Sequence, residues 1–253
     1  MDTGLLLTLL IVVGGVQVVI RVAPPAGVDR AQLVEFVSTP VIAGLVAARV
    51  VFVVLDHPAS VFRIRDVMVV RSGMEFWAGV VVALLWVLTK ARRPMDRGEV
   101  MVKLAVAVPY LLAGVALYEA SCLVRDGCLG PVSNVGLVPH GLDSAMVPVG
   151  LLVAGALGVT AVVLRQAGTL EADQTVLCSI AALGGIRLIA SWFLPALGPS
   201  RVERESAVVF VVAVIGLVVV TVRRRRARSV VPESEVAPGL PFGIDDGEDV
   251  SRR

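Results

Sequence analysis

The chain has 253 residues, of which 57% are hydrophobic and only 17% charged, with a mean hydropathy of +0.86 and a net charge of +2. A soluble domain sits nearer half apolar, with about a quarter of its residues charged, so this composition excludes an ordinary soluble globular fold. The charges cluster between long apolar runs, the pattern of an integral membrane protein.

The first run, about Gly4 to Val22, reads as a span. No positive n-region precedes it, so no cleavable signal peptide is expected. Pro24, Pro25 and Gly27 break it, and Asp29 is placed to cap the next helix, about Leu33 to Leu55, with a bend expected at Pro40. Arg49 lies deep in that helix. The stretch from Asp56 to Gly73 is too polar to span and reads as an amphipathic segment or strand pair along the membrane face. Further spans follow at about Met74–Thr89, Val100–Leu123, Ala145–Leu164, Thr175–Leu194 and Ser206–Val222, with a Gly- and Pro-rich loop from the polar turn to about Asp143. The expectation is an all-α polytopic membrane helical bundle of about seven transmembrane helices over residues 1–228, with a small irregular extracytoplasmic cap. Residues 229–253, rich in Pro, Glu, Asp and Gly, read as a disordered cytoplasmic tail.

Basic residues favour the cytoplasmic side. With seven spans, the run after the third span (Lys90–Arg97) and Arg223–Arg226 share one side, together with Arg21, Arg30 and Arg165. The other side carries Arg63, Arg65, Arg71, Arg125, Arg201 and Arg204 but no cluster to match. The N-terminus is therefore expected outside and the C-terminus inside, in the plasma membrane. Directly after a span, the Arg223–Arg228 cluster reads as a topology anchor meeting anionic headgroups rather than as a nucleic-acid patch.

The chain's polar residues concentrate from Pro109 to Gly130, where an apolar helix ends in a turn holding Tyr118, Glu119, Ser121, Cys122, Arg125, Asp126 and Cys128. Ionisable groups near the end of a span are functional candidates by default. Cys122 and Cys128 are close enough to pair in an oxidising compartment, but their spacing is not that of a CxxC redox motif; a structural disulfide or two free thiols are the open alternatives. Cys178 sits in an apolar run as a small hydrophobe. Two His and three Cys without HxxxH or CxxC spacing give no basis for a metal, and no cofactor is expected.

Several stretches, in order, resemble the prolipoprotein diacylglyceryl transferase family. GVDRAQLVEFVSTPVIAGLVAARVVFVV is similar to the family's second span, with Arg49 on the arginine of its Gly-Ala-Arg-Leu-Gly element. HPASVFRI resembles the His-Pro-x-x-Ile-Phe-Lys-Ile element at His57, Pro58 and Phe62, and SGMEFWAGVVV resembles Gly-Gly-Met-Ser-Phe-His-Gly-Gly at Gly73, Met74, Phe76 and Gly79. PYLLAGVALYEASCLVRDGCLG resembles the family signature at Pro109, Gly114, Cys122 and Gly130, and GGIRLIASWF places Arg187 on the arginine of Arg-Phe-x-x-Glu-Phe. The departures fall on chemistry. The family histidine is Trp77, the signature arginine is Glu119, the glycine two places on is Ser121, and the acid after Arg187 is Ser191. The His-Pro-x-x-Leu-Tyr-Glu motif before span five retains Pro148 alone.

The resemblance implies transfer of a diacylglyceryl group from a phosphatidylglycerol-like phospholipid to the thiol of a lipoprotein precursor, at the extracytoplasmic side and without nucleic acid as partner. Such a site needs cations for the phosphate and an acceptor for the thiol proton. Arg49 and Arg187 are the candidate phosphate binders, since the guanidinium fork suits phosphate. Arg125 and Asp126 join them as substrate-binding candidates. The competing reading pairs each arginine with a buried carboxylate such as Glu119 or Glu75. Glu119 is a candidate base, but a carboxylate where the family has a cation favours an ion pair with Arg187, Arg49 or Arg125. His57 is a candidate proton acceptor or a helix-end residue, and Trp77 a plug for the substrate cavity. The alternative function is a non-catalytic relative that binds lipid or a partner protein in a remodelled cavity.

Overall fold

The computed structural model describes residues 3–25, 27–56, 75–90, 94–121, 129–138, 143–168, 170–193 and 201–230. Among these, seven helices form a bundle: α1 (Thr3–Val22), α2 (Arg30–Asp56), α3 (Phe76–Lys90), α4 (Pro94–Ala120), α5 (Val149–Gln166), α6 (Ala172–Ser191) and α7 (Arg201–Val230). Five of them, α2, α4, α5, α6 and α7, are long and apolar enough to cross a membrane; the apolar parts of α1 and α3 are shorter. A helix closes its own backbone hydrogen bonds, which lipid demands of any segment it surrounds.

Large apolar side chains lie exposed along the bundle, among them Leu10, Ile42, Leu85, Val159, Ile189 and Val212. A soluble monomer does not carry apolar surface on this scale, and such a surface fits lipid as the surrounding solvent.

The helix limits depart from the expected spans for local reasons. α4 starts at Pro94, upstream of Val100, because proline suits the first helical position and the polar turn that follows propagates as helix. There Lys103 Nζ lies 2.6 Å from Glu99 Oε1, one turn apart. α7 continues past Val222 through the arginine run to Val230, since arginine is a good helix former and no proline intervenes before Pro232. α2 runs through Pro40 as one helix. The Gly- and Pro-rich loop contains a strand, β1 (Val132–Leu137), where only loop was expected. Ser133 N–H donates to Ala145 O at 2.9 Å and Val147 N–H to Pro131 O at 3.2 Å, which holds the loop back on itself ahead of α5.

α4 is the central helix and packs on α1, α5 and α6; α6 packs on α5 and most extensively on α7, and α2 on α3. The main core runs from Trp77 and Val87 through Val100, Leu104, Val108 and Leu112 to Leu157, Val176 and Leu183. A second cluster joins Ile20, Leu33, Ala107 and Tyr110. The Tyr110 hydroxyl donates to Ala23 O at 2.6 Å and so satisfies a carbonyl that the end of α1 leaves open. α2 and α3 meet backbone to backbone: a Cβ on Gly44 would lie 2.7 Å from Gly79 O, and one on Gly79 2.9 Å from Gly44 O. Small residues at such a seam let two helices approach where the hydrophobic effect between them is weak.

Candidate functional site

At the end of the bundle where α4 finishes, polar groups from α3, α4, α6 and α7 meet. Glu119 is the next-to-last residue of α4 and Arg187 lies in the last turn and a half of α6. The α4–α6 packing brings them together, and Arg187 Nη2 donates to Glu119 Oε1 at 2.5 Å. Both side chains are largely enclosed, 15% and 13% exposed. Phe76, the first residue of α3, lies against the guanidinium, with its ring centroid 3.6 Å from Arg187 Cζ. Guanidinium–ring contact strengthens when water is excluded. The Arg187 Nε is buried and has no hydrogen-bond partner among the described residues. The cation thus has Nη2 on a carboxylate, one face on an aromatic ring and its Nε–H uncommitted among the described residues.

Beside it, Trp77 turns into the core, 4% exposed, and its Nε1–H donates to Ser206 Oγ of α7 at 2.9 Å. Ser206 is fully buried. The Phe76 and Trp77 rings meet edge to face, 5.2 Å apart. Trp77 therefore fills the space between α3 and α7 that a smaller side chain would leave open. Glu75, just ahead of α3, accepts from Arg201 Nη1 at 3.0 Å, and its own N–H donates to Ala48 O of α2 at 3.0 Å. That bond sets Arg49, the neighbour of Ala48, close in the chain to where α2 meets the start of α3. Arg49 is half-buried, and its Cζ lies 5.7 Å from the Phe52 ring centroid.

Of the expected site residues, Glu119 and Arg187 come together, and the pairing reading of Glu119 has its partner in Arg187. Glu75, expected as a partner for Arg49 or Arg187, is held by Arg201 instead. His57, Arg125, Asp126, Cys122 and Cys128 lie outside the described residues. Neither Phe76 against Arg187 nor Arg201 on Glu75 was expected from the sequence. The available signal was an acidic and an aromatic residue side by side, Glu75-Phe76, at the head of an apolar run.

A second ion-pair group lies at the opposite end of α6. Arg224 Nη2 donates to both Asp173 oxygens at 2.7 Å, and Arg224 Nη1 contacts Glu171 Oε2. Nearby, Gln174 Nε2 donates to Thr221 Oγ1 at 3.5 Å. One arginine of the basic run is thus turned onto the acidic start of α6.

Chemically, the Glu119 end offers a guanidinium able to hold a phosphate oxygen, a carboxylate able to take a proton, and an aromatic ring lying against the guanidinium. Among the described residues no group of three or more His, Cys, Asp or Glu is arranged to hold a metal ion. In comparisons with known proteins, no family model and no curated protein matches the chain.

Proposed function

We propose that the chain is a multi-pass plasma-membrane protein related to the prolipoprotein diacylglyceryl transferases. In this reading the Glu119 end handles a phosphatidylglycerol-like lipid at the extracytoplasmic face. One observation carries it: three stretches singled out separately in the sequence meet at one point. Phe76 belongs to the third-span element, Glu119 to the signature stretch and Arg187 to the sixth-span element. They join as ring, carboxylate and guanidinium, with Arg187 Nη2 2.5 Å from Glu119 Oε1 and Phe76 3.6 Å from Arg187 Cζ. Two ionisable groups set in apolar helices pair for physical reasons alone; what supports the resemblance is that both, together with Phe76, fall on stretches that resemble family elements.

In this proposal Arg187 holds the lipid phosphate and Glu119 accepts the proton from the precursor thiol. The thiolate sulfur attacks the glyceryl carbon, the carbon–oxygen bond to phosphate breaks, and glycerol phosphate leaves with the electron pair. His57 remains a catalytic candidate as a proton acceptor, and Arg49, Arg125 and Asp126 remain substrate-binding candidates. The topology that serves this chemistry is seven spans, N-terminus extracytoplasmic and C-terminus cytoplasmic; labelling both termini from the same side would end it.

A second reading, a non-catalytic relative binding lipid or a partner protein, is favoured by a specific feature. Glu119 neutralises the very cation the chemistry needs, and Trp77 fills core space. The purified protein incubated with phosphatidylglycerol and a lipobox peptide separates the two. Glycerol phosphate release that falls with Arg187→Gln and Glu119→Gln is the outcome expected of the transferase. Lipid retained without release supports the binding protein, and full activity in Glu119→Gln removes its role as base.

A further inference from the structure

Three consecutive residues at the head of α3 reach three different partners. Glu75 accepts from Arg201 of α7 at 3.0 Å, Phe76 lies over the Arg187 guanidinium of α6, and Trp77 donates to Ser206 of α7 at 2.9 Å. Behind them, α2 and α3 pack extensively on each other and only lightly on α4. α3 meets α6 and α7 through these side chains rather than through close backbone packing. Gly44 against Gly79, and the Glu75 N–H on Ala48 O, tie the two helices into one hairpin. The chain joins this hairpin to the bundle only at the end away from Glu119, through residues 23–29 and 91–93. Gly27 in the first connection has a φ of 74°, a conformation that favours glycine. At that end the hold is apolar: Leu33 sits with Ile20, Ala107 and Tyr110, and Val87 shares the main core with Val100 and Leu104. At the Glu119 end the hold on α7 is two hydrogen bonds, which weaken steeply once misaligned and so release together over a small displacement.

We propose that the α2–α3 hairpin is a hinged gate and that its head, Glu75-Phe76-Trp77, is a removable plug on Arg187. In the latched state Phe76 covers one face of the guanidinium, and Arg187 Nε is buried without a partner among the described residues. A buried donor left unmet is a standing penalty on that state. Tilting the hairpin about its apolar end lifts Phe76 and opens Arg187 to a new oxygen acceptor, which removes the penalty. The Trp77–Ser206 and Arg201–Glu75 bonds break in this movement, while the seam between α2 and α3 stays closed. Few residues absorb such a rotation, because the packed unit turns whole. The movement stands on packing and connectivity alone; that the uncovered Arg187 then takes a phospholipid rests on the function proposed above for the Glu119 end.

The test is modification of arginines by phenylglyoxal on the full chain in phosphatidylcholine nanodiscs, mapped by peptide mass spectrometry. Trp77→Phe and Arg201→Gln each remove one latch. Each is expected to speed modification of Arg187 about fivefold, the equivalent of one hydrogen bond of about 1 kcal/mol. Ser206→Ala removes the same latch if Trp77→Phe fails to fold. Arg21, on α1, is expected to react at an unchanged rate. Spin labels, placed after replacing Cys122, Cys128 and Cys178 by alanine, follow the movement itself. Labels at the exposed positions Val54 and Val208 are expected to separate in the latch variants. Labels at Val54 and Val81, within the hairpin, and at Val34 and Val222, at the hinge end, are expected to keep their distances. Unchanged Arg187 modification in the latch variants overturns the proposal. Faster modification with the Val54–Val208 distance fixed is local loosening and overturns it, as does a changed Val54–Val81 distance, which means that the hairpin comes apart. Adding phosphatidylglycerol to the nanodiscs is expected to slow Arg187 modification in the variants; no slowing defeats the lipid reading of the site while the label distances still uphold the gate.

Discussion

α6 is held at both ends by arginine–carboxylate contacts, yet the two ends are different physical objects. Arg187 to Glu119 joins α6 to α4 with side chains 15% and 13% exposed; Arg224 to Asp173 joins α7 to α6 with side chains 34% and 27% exposed. An enclosed pair has already lost its hydration, so removing one partner strands a charge and costs far more than the intact pair contributes. A wetter pair keeps water as a substitute partner and is screened by salt. The same chemistry thus makes a rigid, vulnerable junction at the Glu119 end and a tolerant one at the Arg224 end.

The largest effect tests that contrast directly. Glu119→Gln or Arg187→Met alone is expected to lower stability by about 3–5 kcal/mol, read as thermal unfolding of the detergent-purified protein. The double variant Glu119→Leu with Arg187→Met is expected to recover much of that loss, and a purely additive outcome breaks the comparison. Next comes Trp77→Phe, which leaves the fully buried Ser206 hydroxyl without its partner and is expected to cost about 1–3 kcal/mol. Adding Ser206→Ala to it removes the unmet hydroxyl and is expected to restore part of the stability. Arg201→Gln, which takes the partner from Glu75 but sits on a half-open side chain, is expected to cost about 1 kcal/mol. Smallest is Arg224→Gln, expected to cost about 0.5 kcal/mol at low salt and nothing measurable at high salt. A salt-insensitive loss there larger than that of Glu119→Gln would reverse the ranking of the two ends.

Much of the bundle was legible because lipid imposes a simple rule: a long apolar run must become a helix. The runs ending at Val22, Leu55 and Thr89 became α1, α2 and α3 close to their expected limits. Limits set by polar residues were harder, since Asp96, Arg97 and Glu99, like Arg223–Arg226, continue a helix as readily as they end a span. The Glu119–Arg187 pair was foreseeable because two ionisable groups set in apolar helices need each other. Which carboxylate Arg201 and Arg224 would choose was not. That depends on helix rotation and on the α6–α7 packing, and a single hydrophobic run facing lipid on one side and protein on the other encodes rotation weakly. The strand Val132–Leu137 escaped notice because Gly130 and Pro131 ahead of it, with Asn134 and Gly136 inside it, mark turns more loudly than Val132 and Val135 mark a strand.

The Gly44–Gly79 contact has a mechanical consequence. With no room for even a methyl group at that crossing, α2 and α3 touch there without an intervening side chain, flanked by the small side chains of Ala48 and Ala83. The border between α3 and α7 is fastened instead by two discrete polar clasps, Trp77 on Ser206 and Arg201 on Glu75. A bulky amphiphile seeking the Arg187 guanidinium from the bilayer therefore meets a wall on one flank and a latched door on the other.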